Sequence, residues 1–186
     1  MIDDSQVLRG ERVFEGKLVK VDREVVRLPG GREATLETIR HPGAAAILPF
    51  NADGTVTLIR QFRHAVGGFI YEVPAGKLDK GEAPESCARR EIEEEVGVRA
   101  GRLVDLGAVV TTPGFTDEVI WLYEAHDLAA GEQALEPDEI LEVLKVPFAE
   151  AVRMTLDGRI RDAKSVCAIL LAHARRAVAA DAAPER

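Results

Sequence analysis

The chain has 186 residues, of which 46% are hydrophobic and 30% charged, a balance typical of a folded domain and not of a disordered or collagenous chain. The 24 Lys and Arg against 32 Asp and Glu give a net charge of −8, which argues against a nucleic-acid-binding surface. The polar N-terminus lacks the apolar segment of a signal peptide, and no uncharged apolar run reaches the roughly 18 residues of a membrane span. We therefore expect a soluble cytoplasmic protein that binds neither nucleic acid nor a membrane.

The first third of the chain is typical of strands joined by turns. Apolar or alternating segments separated by Gly- and Pro-containing turns predict strands at 13–21, 23–28, 34–40, 44–50 and 55–62. Similar segments later in the chain predict strands at 102–112, 117–125 and 139–146.

Helical patterns are predicted at 84–96, 148–157 and 163–179. Pro84 suits the first turn of the first helix, and Gly97 suits its C-terminal cap. Because strands and helices mix without a regular βαβ alternation, we predict an α/β sandwich and not a doubly wound sheet.

The first predicted helix gathers carboxylates along one side. At ~100° per residue, Glu91, Glu94 and Glu95 share an arc of ~100° that borders an apolar stripe. Carboxylates at the edge of a core repel one another, and a divalent cation removes that repulsion. A backbone carbonyl of Pro74-Ala75-Gly76 together with Glu91 and Glu95 would suit Mg²⁺ or Mn²⁺ and not zinc. Taken alone, the pattern fits a solvated acidic helix equally well.

Segment 76–98 resembles the Nudix box. Every fixed position of that pattern is filled, by Gly76, Glu82, Arg90, Glu91, Ile92, Glu94, Glu95, Gly97 and Val98. The resemblance implies an α/β/α sandwich with a mixed sheet, plus N-terminal antiparallel strands. It also implies hydrolysis of a nucleoside diphosphate linked to another group, with water and Mg²⁺ or Mn²⁺.

The resemblance implies a role for each box residue. The metal ligands would be Glu91, Glu95, often Glu94, and the carbonyl of Ala75. Gly76, Glu82, Arg90 and Gly97 would be structural. Arg90 is also placed to steady the carboxylates or to pair with Glu82.

Features outside the box resemble the ADP-ribose pyrophosphatase branch of the family. Pro113 stands fifteen residues after Val98, and 41–44, 60–63 and 71–76 also look typical of that branch. The implied reaction converts ADP-ribose to AMP and ribose 5-phosphate. The implied substrate contacts are Arg63, Glu72, Pro113, Gly114, Lys17 and Leu18. Independently of the family, Arg63 is suited to neutralising a phosphate oxygen.

The resemblance to the ADP-ribose pyrophosphatase branch implies a general base in the loop that precedes the predicted strand at 139–146. By register against that strand we favour Glu139, with Glu136 second and Glu94 of the box third. A solvated acidic loop remains the alternative.

The resemblance divides the chain into N-terminal strands at 1–42, a Nudix domain at 43–180 and a frayed tail at 181–186. It implies a homodimer formed through the N-terminal strands. GDP-mannose or other sugar nucleotides are alternative substrates. Motifs of diadenosine polyphosphate, CoA and RNA-cap hydrolases are not found, and the intact box disfavours a non-catalytic ADP-ribose sensor.

Overall fold

The computed structural model describes residues 5–181, which divide into two compact units. One unit comprises 5–43 and 110–119, and the other comprises 44–109 and 120–181. Of the tail predicted to fray, Asp181 ends the last helix, and 182–186 lie outside the described residues. No helix within the described residues has the length and hydropathy required to cross a membrane.

The first unit is an antiparallel sheet of three strands, β1 (Gln6–Glu15), β2 (Lys20–Arg27) and β3 (Glu33–Arg40). Segment 110–119 joins this sheet at β3, where the Ile39 amide donates to the carbonyl of Phe115 at 2.7 Å. Arg40 also pairs with Asp117 at 3.2 Å. The expectation of N-terminal antiparallel strands is confirmed.

The prediction of one strand over 13–21 is wrong, because the chain reverses within it. The Gly16 amide donates to the carbonyl of Val19 at 2.8 Å, which closes the turn between β1 and β2. A Cβ at Gly16 would lie 2.9 Å from the exposed Phe14 ring, so a larger residue would require that ring to move. The alternation of apolar residues continues through this turn, which is why periodicity alone missed it.

Within residues 5–181, the second unit contains the remaining strands and the three α-helices. Their bounds are β4 (Ala44–Pro49), β5 (Thr55–Arg63), β6 (Gly68–Glu72), β7 (Ala75–Lys77), α1 (Pro84–Val96), β8 (Val98–Val110), β9 (Val119–Ala130), β10 (Leu141–Pro147), α2 (Phe148–Leu156) and α3 (Ala163–Asp181). The outermost residues of β8 and β9 belong to the first unit. The sheets have the orders β7-β4-β9-β8 and β10-β5-β6. Because β4 pairs parallel with β9 and antiparallel with β7, the first of these sheets is mixed.

Strand β4 lies between two apolar cores. Ala44, Ala46 and Leu48 face a core that includes residues of α2 and α3, whereas Ala45 and Ile47 face a core that includes residues of α1. A strand buried on both faces needs a continuous apolar run, which the sequence of β4 supplies. The predicted α/β/α arrangement with a mixed sheet is thereby confirmed.

The sequence analysis missed strands β6 and β7, because it predicted no strand between 63 and 83. Both strands are short and contain glycine, so β-strand propensities predict them poorly. The predicted caps of α1 are confirmed, because Pro84 lies in its first turn and Gly97 ends it with a φ of 72°.

Candidate active site

Helix α1 lies against the backbone of β7, and Gly76 makes this close approach sterically feasible. A Cβ at Gly76 would lie 1.8 Å from Oε1 of Glu91. Any larger residue would therefore displace the Glu91 carboxylate. The first glycine of the motif is required for space next to a carboxylate, and not for a left-handed backbone.

Glu95 is the more deeply buried of the two carboxylates, with 1% of its surface exposed. Its Oε2 accepts a hydrogen bond from the Ala75 amide at 2.9 Å. Burial raises the pKa of Glu95 to about 8, and the charges of Glu91 and Glu139 add to the shift. Burial also raises the pKa of Glu91. The carboxyl groups of Glu91 and Glu95 are therefore held where their ionised forms are poorly solvated.

Arg90 is the cation that contacts this cluster directly. It donates two hydrogen bonds to Glu82, at 3.1 and 2.9 Å, and lowers the pKa of Glu82 to about 2. Its Nη1 also donates to Glu91 at 2.6 Å and to Glu94 at 3.0 Å. Within residues 5–181, no three Asp, Glu, His or Cys side chains converge as metal ligands. The carboxylates of Glu91 and Glu94 are instead directed at the guanidinium.

The donor set nevertheless fits a hard divalent cation. Glu91 and Glu95 are one helical turn apart, both are buried, and both lie against β7. Carboxylate and carbonyl oxygens are the ligands that Mg²⁺ and Mn²⁺ prefer. A cation would offset the buried charge that raises both pKa values.

Arg63 is held at the end of β5 by a buried carboxylate on β6. Its Nε and Nη2 donate to Glu72 at 2.8 and 3.0 Å, and Lys164 of α3 contacts the same carboxylate. Burial by itself would raise the pKa of Glu72, but Arg63 and Lys164 more than compensate and the pKa is lowered. The paired geometry leaves Nη1 of Arg63 available to an anionic ligand.

Sequence analysis missed the residues of α3 that support this ion pair. Lys164 also contacts Asp162 at 2.9 Å, and the Ser165 hydroxyl accepts a hydrogen bond from the Val73 amide at 2.8 Å. A lysine in the first turn of a helix opposes the helix dipole, and this unfavourable placement was the one feature of the sequence that could have indicated a special role for Lys164. The contact between Lys164 and Glu72 joins residues that are 92 positions apart, so no local sequence pattern reveals it.

The loop before β10 brings Glu139 into electrostatic range of the carboxylates. Its charge contributes to raising the pKa of both Glu91 and Glu95. Glu136 is exposed, and its amide donates to Oε2 of Glu139 at 2.8 Å. The backbone of Glu136 thus orients Glu139.

Four predicted substrate contacts belong to the first unit. Lys17 and Leu18 lie in the turn between β1 and β2. Pro113 and Gly114 lie in an exposed turn closed by hydrogen bonds to the carbonyl of Thr112. Their substrate roles stay predictions.

A cavity of about 440 Å³ opens in the second unit beside the turn that precedes β5. Its lining includes Phe50, Asp53, Arg102, His126 and Lys145. None of the predicted site residues lines it, so it is separate from the carboxylate cluster.

Replacing Gly76 with alanine is expected to damage both stability and any activity of the carboxylate cluster. Since the added Cβ overlaps Glu91, the variant should lose about 1–3 kcal/mol of unfolding free energy, measured by urea denaturation. Gly68→Ala is the matched control, because a Cβ there meets no atom within 4 Å. Equal stability of the two variants would contradict the role given to Gly76.

Comparisons with known proteins agree on the family. A model of the NUDIX domain matches residues 39–169. An ADP-ribose pyrophosphatase of Bacillus subtilis (strain 168) is 38% identical over 168 residues, which are 89% of this chain and 91% of that protein. A methanol dehydrogenase activator of Bacillus methanolicus is 36% identical over the same shares of the two chains. A GDP-mannose pyrophosphatase of Yersinia pestis (strain Pestoides F) is 35% identical over 68% of each chain.

A solved structure described as an ADP compounds hydrolase superposes with a TM-score of 0.82 at 22% identity and covers 98% of both chains, which shows a shared fold. The family model covers most of the chain and includes the helix and the strand that bury Glu91 and Glu95. The chain belongs to the Nudix hydrolase family.

Proposed function

We propose that the protein hydrolyses the diphosphate bond of ADP-ribose to give AMP and ribose 5-phosphate. The observation that carries this proposal is the pair of buried carboxylates, Glu91 and Glu95, in the unit that also holds Arg63 with one side of its guanidinium free. The similarity to an ADP-ribose pyrophosphatase along 89% of the chain supports the same substrate.

The cofactor in this proposal is Mg²⁺ or Mn²⁺. Glu91 and Glu95 would hold it together with the carbonyl of Ala75, and Glu94 would join them when Arg90 releases its carboxylate. A divalent cation there would offset the charge of the diphosphate and lower the pKa of the attacking water.

Residues of the protein bind the phosphate and accept the proton of the attacking water. Arg63 binds a phosphate oxygen through Nη1, while Glu72 and Lys164 hold its orientation. Glu139 accepts a proton from water as the water oxygen bonds to phosphorus. One P–O bond of the diphosphate then breaks, which releases the two monophosphates.

A sugar nucleotide such as GDP-mannose is the alternative substrate. A GDP-mannose pyrophosphatase is 35% identical to this chain, and the carboxylate cluster itself does not distinguish one nucleoside from another. A non-catalytic sensor is disfavoured, because every box carboxylate is retained.

The N-terminal strands are proposed to form a homodimer. Residues 5–43 expose large apolar side chains at Val7, Leu8, Val13, Phe14, Leu18, Val19 and Leu36. A small sheet that exposes several large apolar side chains often forms part of an interface. Light scattering should give twice the 20.2 kDa chain mass, and a monomer mass would contradict the proposal. The cytoplasmic location stays a prediction.

A substrate panel tests the proposed function. The protein with Mg²⁺ would be offered ADP-ribose, GDP-mannose, UDP-glucose, diadenosine tetraphosphate and CoA, with products identified by mass. We expect AMP and ribose 5-phosphate from ADP-ribose at the highest kcat/KM. Faster cleavage of GDP-mannose would favour the alternative, and binding of ADP-ribose without hydrolysis of any compound would favour the sensor.

The raised pKa of Glu95 predicts a pH-dependent response to Mg²⁺. Since burial raises that pKa to about 8, Glu95 favours the folded state while protonated, and this contribution is lost as pH rises from its ordinary value of 4.5 through 8. Mg²⁺ should therefore raise the Tm more at pH 8.5 than at pH 5.5. Glu95→Gln should reduce the difference, because only the raised pKa of Glu91 then remains, whereas Glu93→Gln on the same helix should keep it in full. A Glu95→Gln protein that responds like the wild type would remove Glu95 from the ligand set.

Glu139 is expected to be the general base. Glu139→Gln should lower kcat by ~10²–10⁴-fold, the range of general base catalysis, with little change in Tm. Glu136→Gln should have the smaller effect, because its backbone and not its carboxylate orients Glu139. The reverse order, or a loss below tenfold for Glu139→Gln, would assign the base elsewhere.

A further inference from the structure

The side chain of Gln61 is buried, but its amide oxygen has no hydrogen-bond partner in the described part of the protein. It is 3% exposed, and among residues 5–181 its Oε1 is the one buried side-chain oxygen or nitrogen that has no hydrogen-bond partner. An unpaired buried acceptor costs about 1–3 kcal/mol, so folded proteins retain few of them. Since no protein group within residues 5–181 pairs with this oxygen, its partner is a water molecule or a ligand.

Gln61 shares one face of the β10-β5-β6 sheet with the proposed phosphate-binding residue. Arg63 lies two positions further along β5, and alternate residues of a strand project from the same face. Glu72 pairs with Ile59, two positions before Gln61, so its carboxylate is a diagonal neighbour on that face. On the other side, Gln61 pairs with Leu141, which follows Glu139 by two residues. Because the strands are antiparallel, the chain from Leu141 back to Glu139 runs alongside β5 from Gln61 towards Arg63, so Gln61 lies next to Arg63 on the side away from the loop of the proposed base.

The partner that Gln61 lacks must be a hydrogen-bond donor, since an amide oxygen only accepts. An ionised diphosphate offers acceptors alone. The donors that a nucleoside diphosphate sugar brings next to its phosphates are the hydroxyl groups of its two sugars.

We propose that Gln61 is a specificity-determining residue whose Oε1 accepts a hydrogen bond from a sugar hydroxyl next to the substrate's diphosphate. This inference rests on the proposed function, because it takes Arg63 as the phosphate ligand. Arg63 then selects for charge, while Gln61 selects for a hydroxyl-bearing sugar beside that charge. A site built to pair with a hydroxyl discriminates strongly against an analogue that lacks it.

Gln61→Met tests this role, because methionine keeps the length of the side chain and removes the acceptor. Three substrates are compared by kcat/KM: ADP-ribose, the methyl ester of ADP, which lacks the terminal sugar, and 2′,3′-dideoxy-ADP-ribose, which lacks the adenosine hydroxyls. With ADP-ribose, we expect the variant to lose ~10-fold in kcat/KM. With the analogue that lacks the contacted hydroxyl, the wild type and the variant should agree within about twofold, since no hydrogen bond remains to be lost.

The analogue on which the difference disappears identifies the sugar that Gln61 contacts. An equal loss on all three substrates would overturn the proposal, because Gln61 would then act on water or on the scaffold. No loss on ADP-ribose would overturn it as well. If the wild type itself hydrolyses none of the three, the proposed function fails and this inference falls with it.

A stability measurement separates specificity from scaffolding. Gln61→Met should leave the Tm unchanged or raise it, since an unpaired buried acceptor is removed. Thr57→Val on the same strand is the matched control. Thr57 is 2% exposed, and its hydroxyl accepts a hydrogen bond from Asn51 at 3.1 Å. The control should lower the Tm and leave the ratio of the three substrates unchanged. A lower Tm for Gln61→Met with unchanged substrate ratios would show that Gln61 is a structural residue.

Discussion

The arrangement of the site depends on the burial of Glu91 and Glu95 against β7, which the surrounding residues make sterically and electrostatically possible. Two carboxylates one helical turn apart repel each other, and removing them from water strengthens that repulsion. Gly76 makes the approach sterically possible, the Ala75 amide donates to Glu95, and Arg90 offsets the charge of Glu91. These contacts leave Glu95 with a pKa of about 8. The protein alone therefore solvates this charge incompletely, as expected of a site that completes itself with a cation.

The positive side of the site depends on a different part of the fold. Arg63 is oriented by Glu72, and Glu72 is in turn held by Lys164 at the start of α3. Asp162 caps that helix, with the Ser165 amide donating to its carboxylate at 3.0 Å. The C-terminal helix thus does more than cover the sheet. It carries the second cation that makes a buried carboxylate on β6 tolerable, and that carboxylate aligns the guanidinium.

Local chemistry explains which features the sequence predicted. The carboxylates of α1 were predictable because helical spacing fixes their common face, and β4 was predictable because burial on both faces demands an unbroken apolar run. Lys164 and Gln61 were not singled out, because their importance arises from strands and helices that meet only in the folded chain. The turn at Gly16 was missed since apolar alternation passes through it. Periodicity reports which face a residue occupies, and it is silent about where a chain reverses.

The unsatisfied groups of the second unit are concentrated around one set of strand ends. Glu95 is buried with its pKa raised to about 8, Nη1 of Arg63 is not used by Glu72, and the amide oxygen of Gln61 has no protein donor among residues 5–181. Each is a group that a cation, a phosphate or a hydroxyl would satisfy. Scattered through a core, such groups would mark a poorly stabilised protein. Because they lie on only two elements, β5 and α1, they indicate what a ligand must supply: a positive charge, a negative charge and a hydrogen-bond donor. A nucleoside diphosphate sugar accompanied by a divalent cation supplies all three, so the groups that weaken the free protein are those that its complex would satisfy.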